Sequence, residues 1–107
     1  MERAGLIIYM HRGYIKLWRK SKESRMVFEG MDLFGFFCWI LISANHKKSW
    51  FYGIEILPGQ LATSYGSLSD QVGASIKVVR NWLDKLSTFE MIKRENRANR
   101  FTLITVS

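Results

Sequence analysis

The chain has 107 residues, of which 48% are hydrophobic and 23% charged, and this balance predicts one small globular domain rather than a disordered segment. Its 16 Lys and Arg residues against nine Asp and Glu give a net charge of +7, which favours a polyanionic partner: DNA, RNA or an acidic membrane surface. One cysteine, Cys38, and two histidines, His11 and His46, exclude a disulfide framework and the usual zinc clusters and fit a reducing cytoplasm.

The charge is divided unevenly along the chain. Residues 1–25 carry seven basic and two acidic side chains, and residues 75–107 carry seven basic and three acidic ones. Residues 26–74 carry only two basic and four acidic side chains. A surface that serves solubility alone usually mixes both signs. The segregation therefore indicates a binding face.

At the N-terminus we assign residues 1–13 to an extension, with Met10 as an alternative start, and residues 14–107 to the folded domain. The stretch from Tyr14 to about Glu23 predicts a short helix, because apolar and basic residues occupy different sides of it. Three of its basic residues are candidates for contact with a DNA backbone or a partner subunit: Lys16, Arg19 and Lys20.

A second helix is predicted from Asp32, a good N-cap residue, to about Asn45. It is apolar on nearly every side, so we expect it to be the buried centre of the domain, with Cys38 as an inert buried thiol. The apolar run at residues 33–44 is too short to span a bilayer, and residues 5–10 are too short for a signal peptide. We therefore expect a soluble, cytoplasmic protein with no membrane partner.

Residues 50–57 fit either a strand or an extended loop, and they are followed by a turn at Pro58–Gly59 and one short strand over Gln60–Ser64. Three consecutive aromatic residues lie in this region, and packing on the core or at an edge is their favoured role. The alternative is stacking on bases of single-stranded nucleic acid. These residues are Trp50, Phe51 and Tyr52.

Ser67 and Asp70 form a capping-box pattern that predicts a short helix over residues 68–72, which Gly73 ends. Ser75 then caps a longer helix over residues 76–89. A steep turn between two helices needs a residue that adopts positive φ, and Gly73 provides it. The expected core face of the longer helix is Ile76, Val79, Trp82, Leu83 and Leu86.

Two strands are predicted over residues 91–95 and 100–106, joined by a hairpin tip at residues 96–99. The alternation of the second strand is imperfect, which predicts cover on both of its faces. The order helix, strand, helix, glycine turn, longer helix and hairpin is that of a winged helix-turn-helix. We therefore predict an α+β, mostly α, fold with an extra N-terminal helix and a C-terminal β-hairpin wing.

In such a unit the second helix of the turn enters the major groove and the wing lies against the backbone. Base contacts are predicted for Ser75, Lys77, Arg80 and Asn81. Backbone contacts are predicted for Lys93, Arg94, Arg97, Asn99 and Arg100. The sequence carries no nucleophile–base pair, carboxylate pair, metal cluster or phosphate-binding glycine loop, so we expect no enzyme, metal or cofactor.

Several segments together resemble phage replisome organisers and DnaD-like primosome proteins. They are GYIKLWRK at 13–20, GQLATSY at 59–65 with LSDQVG at 68–73, VRNWLDKL at 79–86 and NRFTLITV at 99–106. The resemblance covers about residues 10–107 and implies an N-terminal winged-helix domain that binds DNA or self-associates. Larger members of the family add a C-terminal domain that binds DNA and contacts the helicase-loading machinery.

The leading interpretation is therefore a DNA-binding winged helix of a phage- or prophage-type replication-initiation protein, with double-stranded DNA as its partner. One alternative is an oligomerisation or protein-interaction winged helix of a primosome assembly, with a second copy or replication proteins such as a helicase loader as partners. The other is a transcriptional regulator, which would be distinguished by a palindromic operator and a stable dimer. The sequence leaves the preference for duplex or single strand open.

Overall fold

A computed structural model describes residues 8–11, 14–17, 30–97 and 100–107, and over these ranges the protein is α+β. The strands are β1 (Ile8–His11), β2 (Tyr14–Leu17), β3 (Ser49–Phe51), β4 (Ile54–Ile56), β5 (Gln60–Thr63), β6 (Ile92–Arg97) and β7 (Phe101–Val106). The helices are α1 (Met31–Ser43), α2 (Tyr65–Val72) and α3 (Ile76–Thr88). β1 pairs with β2, β3 pairs with β4, and β7 lies between β5 and β6, all antiparallel.

The predicted helix from Tyr14 is wrong over its first four residues, which form β2 and pair with β1. Tyr and Ile favour a pleated strand, and the apolar stretch just upstream supplies a partner for it. The remainder of that predicted helix, with Arg19 and Lys20, lies outside the described residues. Lys16 therefore lies on a strand, opposite Tyr9. This hairpin includes residues from both sides of the predicted boundary at residue 13.

Helix α1 lies at the centre of the core, as the sequence predicts, but it is buried on one side only. The buried residues are Leu33, Phe36, Phe37, Ile40 and Leu41. Met31 and Ile42 are 68% and 69% exposed. Cys38 is half-buried rather than buried, and its partial burial raises the pKa of the thiol, so the thiol stays protonated at neutral pH.

The start of α1 also differs from the prediction. Gly30 is the N-cap residue, and no side chain caps the helix. Asp32 lies inside the first turn, so its predicted role as the N-cap is wrong. A carboxylate in the first turn still favours the helix, because it faces the positive end of the helix dipole.

The three-stranded sheet is covered on both faces. On one face, Ile92 and Ile104 join the cluster formed by α1, α2 and α3. On the other face, Phe101 and Leu103 pack with Ile56 of β4. Neighbouring residues of β7, Leu103 and Ile104, thus belong to different clusters, which confirms the predicted cover on both faces of this strand.

Residues 49–56 form a hairpin of β3 and β4. Its two-residue turn is Tyr52–Gly53, with φ of 50° and 73°, the positive values that a type I′ turn requires. The predicted turn at Pro58–Gly59 is confirmed: the N–H of Gln60 donates to the carbonyl of Leu57 at 3.1 Å, and Gly59 has φ 84°.

Helix α2 begins earlier than predicted. Its N-cap is Ser64, whose hydroxyl accepts the N–H of Ser67 at 3.0 Å, so the predicted cap at Ser67 is wrong. A hydroxyl was available at both positions, and the one that follows the extended β5 strand is the one that caps. Gly73 ends the helix at φ 72°, and the hydroxyl of Ser75 accepts the N–H of Val78 at 3.2 Å, both as predicted.

The core face of α3 is largely as predicted. Val79, Leu83 and Leu86 are buried and Trp82 is half-buried, but Ile76 is 46% exposed and does not belong to the core. Ile76 is the first residue of the helix. β6 extends to Arg97, so residues 96 and 97 are strand residues and not part of the hairpin tip.

Two glycine substitutions are expected to change stability in opposite directions. Gly73→Ala places a side chain at positive φ and should lower the free energy of unfolding by about 1–2 kcal/mol. Gly35→Ala lies inside α1, where an added Cβ meets nothing within 4 Å, and should raise it by about 0.5–1 kcal/mol. Urea unfolding followed by circular dichroism measures both. A gain in stability for Gly73→Ala would contradict its assignment as the helix-ending residue.

Candidate nucleic-acid interface

The exposed side of α3 carries three of the predicted base-contacting residues. Lys77, Arg80 and Asn81 are all exposed, whereas Val79 and Leu83 hold the opposite side of the helix in the core. Ser75, the fourth, is the N-cap, and its hydroxyl oxygen already accepts a backbone N–H. The N-terminal half of α3 therefore presents Lys77, Arg80 and Asn81 beside the exposed apolar side chains of Ile76 and Val78.

Tyr65, at the start of α2, connects α3 with β6. Arg94 donates from Nη1 to the Tyr65 hydroxyl at 2.9 Å and from Nη2 to Asp84 Oδ1 at 2.7 Å. The guanidinium of Arg80 lies over the same tyrosine ring, 5.8 Å from its centroid. These contacts fix the orientation of the β6–β7 hairpin relative to the exposed side of α3.

The Arg94 guanidinium remains charged in this position. Burial acts to lower the pKa of Arg94, but the hydrogen bonds and charges of Asp84 and Tyr65 outweigh it and the pKa is raised. Arg94 is half-buried, and both of its terminal nitrogens are in use. Its geometry is that of a side chain that positions the hairpin, whereas the sequence predicts a backbone contact.

The other predicted wing residues differ in whether their charged groups already contact a partner within the protein. Arg97 donates from Nη2 to Glu95 Oε1 at 2.8 Å, an exposed pair of the kind that contributes little and exchanges easily for a phosphate. Lys93 is exposed and makes no ion pair with the described residues. The guanidinium of Arg100 lies 5.3 Å from the centroid of the Tyr52 ring. Asn99 lies outside the described residues.

Sequence reasoning missed Tyr65 and Asp84 as parts of this region. Tyr65 lies 29 positions from Arg94, and Asp84 lies ten positions from it. No local spacing rule joins such residues, because the contact exists only once β6 folds back against α2 and α3. Between α2 and β6 an open cleft of about 480 Å³ is lined by Tyr65, Arg94, Glu95, Asn96 and Thr102.

Comparison of the chain with models of known protein families, with curated protein sequences and with solved structures returned no match. Over the described ranges, no three His, Cys, Asp or Glu side chains lie close enough together to hold a metal ion. None of the helices in that part of the chain is long and apolar enough to cross a membrane.

Proposed function

We propose that this chain is a winged helix-turn-helix domain that binds duplex DNA, with α2 and α3 as the helix-turn-helix and β6–β7 as the wing. The observation that carries the proposal is the arrangement around Tyr65. It holds the exposed basic side of α3 and the basic hairpin against one another through Arg80 and Arg94. A helix of this kind fits the major groove, and a hairpin beside it reaches the backbone.

The residues take different roles in this proposal. Lys77, Arg80 and Asn81 read base edges, since Arg and Lys pair with guanine and Asn pairs with adenine. Lys93 and Arg100 contact phosphates, and Arg97 joins them by exchanging its partner Glu95 for a phosphate. The proposed interface involves only residues 60–107. The structure describes all of these residues except 98 and 99.

We also propose that the domain acts in replication initiation of the phage or prophage type. The support is the resemblance to replisome organisers, most of whose segments fall on the elements of the proposed interface. The segment at 59–65 includes β5 and the start of α2, the segment at 68–73 includes the end of α2, the segment at 79–86 lies on α3, and the segment at 99–106 includes β7. The segment at 13–20 lies outside that interface and includes β2.

One observation favours self-association as a second candidate function. Met31 and Ile42 leave an apolar strip exposed along α1, on the side away from the core. A protein-interaction module would assemble through such a strip and would bind nucleic acid weakly. Sedimentation at several protein concentrations separates the two candidates, because the DNA-binding proposal does not require assembly.

The direct test is fluorescence anisotropy of labelled duplex DNA, single-stranded DNA and RNA at low salt. We expect saturable binding of duplex DNA that weakens as salt is added. Absence of duplex binding at tens of micromolar protein, together with concentration-dependent assembly, would replace the proposal with the interaction module.

A sharper prediction distinguishes base readout from backbone contact. After selection of a preferred site, Arg80→Ala is expected to cost about 1–3 kcal/mol on that site and little on other sequences. Arg97→Ala is expected to weaken binding to all sequences alike, because a phosphate contact carries no sequence information. Anisotropy titrations on the selected and a scrambled duplex measure both. If the two substitutions act equally on every sequence, the assigned roles are wrong.

A further inference from the structure

A second recess lies between the β3–β4 hairpin, the C-terminal half of α1 and the outer side of α2. It is a groove of about 540 Å³, open to solvent. Its lining includes Trp39 of α1, Phe51 and Tyr52 of the hairpin, Gln71 of α2 and Arg100 at the tip of the wing. We call it the aromatic groove. It shares only Arg100 with the proposed duplex interface.

The rings of this groove are exposed to a degree that core packing does not explain. Tyr52 is 62% exposed, Phe51 40% and Trp39 38%. Phe51 packs edge-on against Phe101, with ring centroids 5.0 Å apart, and so anchors the hairpin to the sheet. Tyr52 is stacked on Phe101 with ring centroids 6.2 Å apart and meets Phe51 edge-on at 4.7 Å, so the favoured expectation of edge packing fits both Phe51 and Tyr52, although Tyr52 remains 62% exposed.

Tyr52 also occupies a backbone conformation that favours another residue. Its φ is 50°, at a turn position where Asn, Asp or Gly is preferred. A tyrosine there costs stability, and its contacts with the rings of Phe51 and Phe101 offset part of that cost. Asn at this position would serve the turn better. A ligand stacked on the exposed part of the ring would offset the remainder.

The polar groups around the rings complete a site for a flat, anionic ligand. The indole N–H of Trp39 donates to Gln71 Oε1 at 3.1 Å, and Gln71 Nε2 donates to Ser67 Oγ at 3.1 Å, which holds the tryptophan ring in place. Thr63 and Ser64, which both carry hydroxyl groups, also line the groove. Arg100 brings a positive charge to the ring of Tyr52, and no carboxylate is among the described lining residues.

We propose that the aromatic groove binds unpaired bases of a single-stranded nucleic acid. Bases stack on the rings of Trp39 and Tyr52, the hydroxyl groups of the lining residues meet the base edges, and Arg100 contacts the adjoining phosphate. Stacking on exposed aromatic rings beside a cation is how proteins hold single strands without regard to sequence. This proposal does not depend on duplex binding by α3, so either proposal can be wrong while the other is correct.

The test uses the full chain and two substitutions in the same hairpin. Tyr52→Asn removes the ring and places a residue that the turn favours, so the fold is retained. Trp50→Thr is the matched control, because it also removes an exposed aromatic ring from this hairpin; Trp50 is 67% exposed. Trp50 lies opposite Glu55 in the strand pair and is not among the residues that line the groove. Both variants are first checked for unchanged unfolding by urea.

The probes are labelled oligomers of equal length and charge: oligo-dT, oligo-U and an abasic deoxyribose oligomer, all at one salt concentration. We expect Tyr52→Asn to weaken oligo-dT binding about 5- to 160-fold, the range for the loss of one stacked base. Trp50→Thr should change it less than about twofold, and the abasic oligomer should bind more weakly than oligo-dT. Comparison of oligo-dT with oligo-U shows whether the groove prefers deoxythymidine or uridine, which differ in the sugar and in the 5-methyl group of the base.

Three outcomes would overturn the inference. The abasic oligomer could bind as well as oligo-dT, which would mean that charge alone acts. Trp50→Thr could weaken binding as much as Tyr52→Asn, which would place the strand elsewhere on the hairpin. The protein could fail to bind any single strand at low salt, which would mean that the groove does not bind nucleic acid. Unchanged duplex binding by Tyr52→Asn separates each of these from failure of the proposed duplex interface.

Discussion

Raising the salt from 50 to 200 mM is expected to weaken duplex DNA binding by this protein about 40-fold. The proposed interface places roughly three cations near phosphates, and each contact releases about 0.9 of a counterion from the duplex, so the affinity falls with about the 2.7th power of the salt concentration. The cations that supply this charge lie on the wing: Lys93 and Arg100, which are exposed, and Arg97, whose side chain is 42% exposed. Anisotropy titrations at four or more salt concentrations give the slope.

The slope also identifies individual contacts. Lys93→Ala should lower its magnitude by about one, since Lys93 is exposed on the wing and makes no ion pair with the described residues. Lys47→Ala is the matched control, because Lys47 is an equally exposed lysine on the loop after α1, outside the proposed interface. A slope near zero, or an equal change for both variants, would show that the wing does not face the backbone.

The parts of the structure that the sequence predicts correctly depend on short-range signals. Gly73, Ser75 and the 3.6-residue spacing of Val79, Leu83 and Leu86 together determine where α2 ends and which side of α3 is buried. These signals act within one or two turns of chain, and each has a single structural solution. The candidate base-contacting residues can be predicted from the same signals, because these residues lie on the exposed side of the helix whose other side is buried.

The errors arise where two local solutions compete. Tyr14–Leu17 satisfies a helical pattern and a strand pattern equally, and the presence of β1 beside it decides for the strand. Ser64 and Ser67 are both capping residues, and the extended backbone of Ser64 after β5 decides for Ser64. In both cases the deciding information lies in a neighbouring element and not in the segment itself.

The candidate site contains a third class of feature that no pattern predicts. The contact of Arg94 with Tyr65 and Asp84, and the exposed ring of Tyr52 at positive φ, depend on how distant elements meet. They change the interpretation of residues that the sequence does identify. Arg94 was predicted as a backbone contact by its charge and its place on the wing, and the structure uses both of its terminal nitrogens inside the protein.

Reversing two charges on α3 is expected to have the largest effect on duplex binding. Lys77→Glu with Arg80→Glu lowers the net charge from +7 to +3, since each substitution removes two units, and it replaces two proposed base contacts with groups that repel phosphate. If each lost contact contributes about 1–3 kcal/mol, affinity falls at least about 30-fold. The free energy of unfolding should fall by no more than about 1 kcal/mol, the contribution of the exposed contact between Arg80 and the Tyr65 ring that the substitution removes.

The matched variant is Lys47→Glu with Lys48→Glu, which lowers the net charge by the same four units on a different surface. It should weaken duplex binding only through the general field of the protein, by less than about fivefold at 150 mM salt, where charges more than about 8 Å apart are screened. Equal losses for the two variants would mean that net charge and not the α3 surface binds the duplex. Binding of oligo-dT should respond similarly to both variants, because neither pair lines the aromatic groove. A selective loss with the α3 variant in both assays would instead place single and double strands on one shared surface.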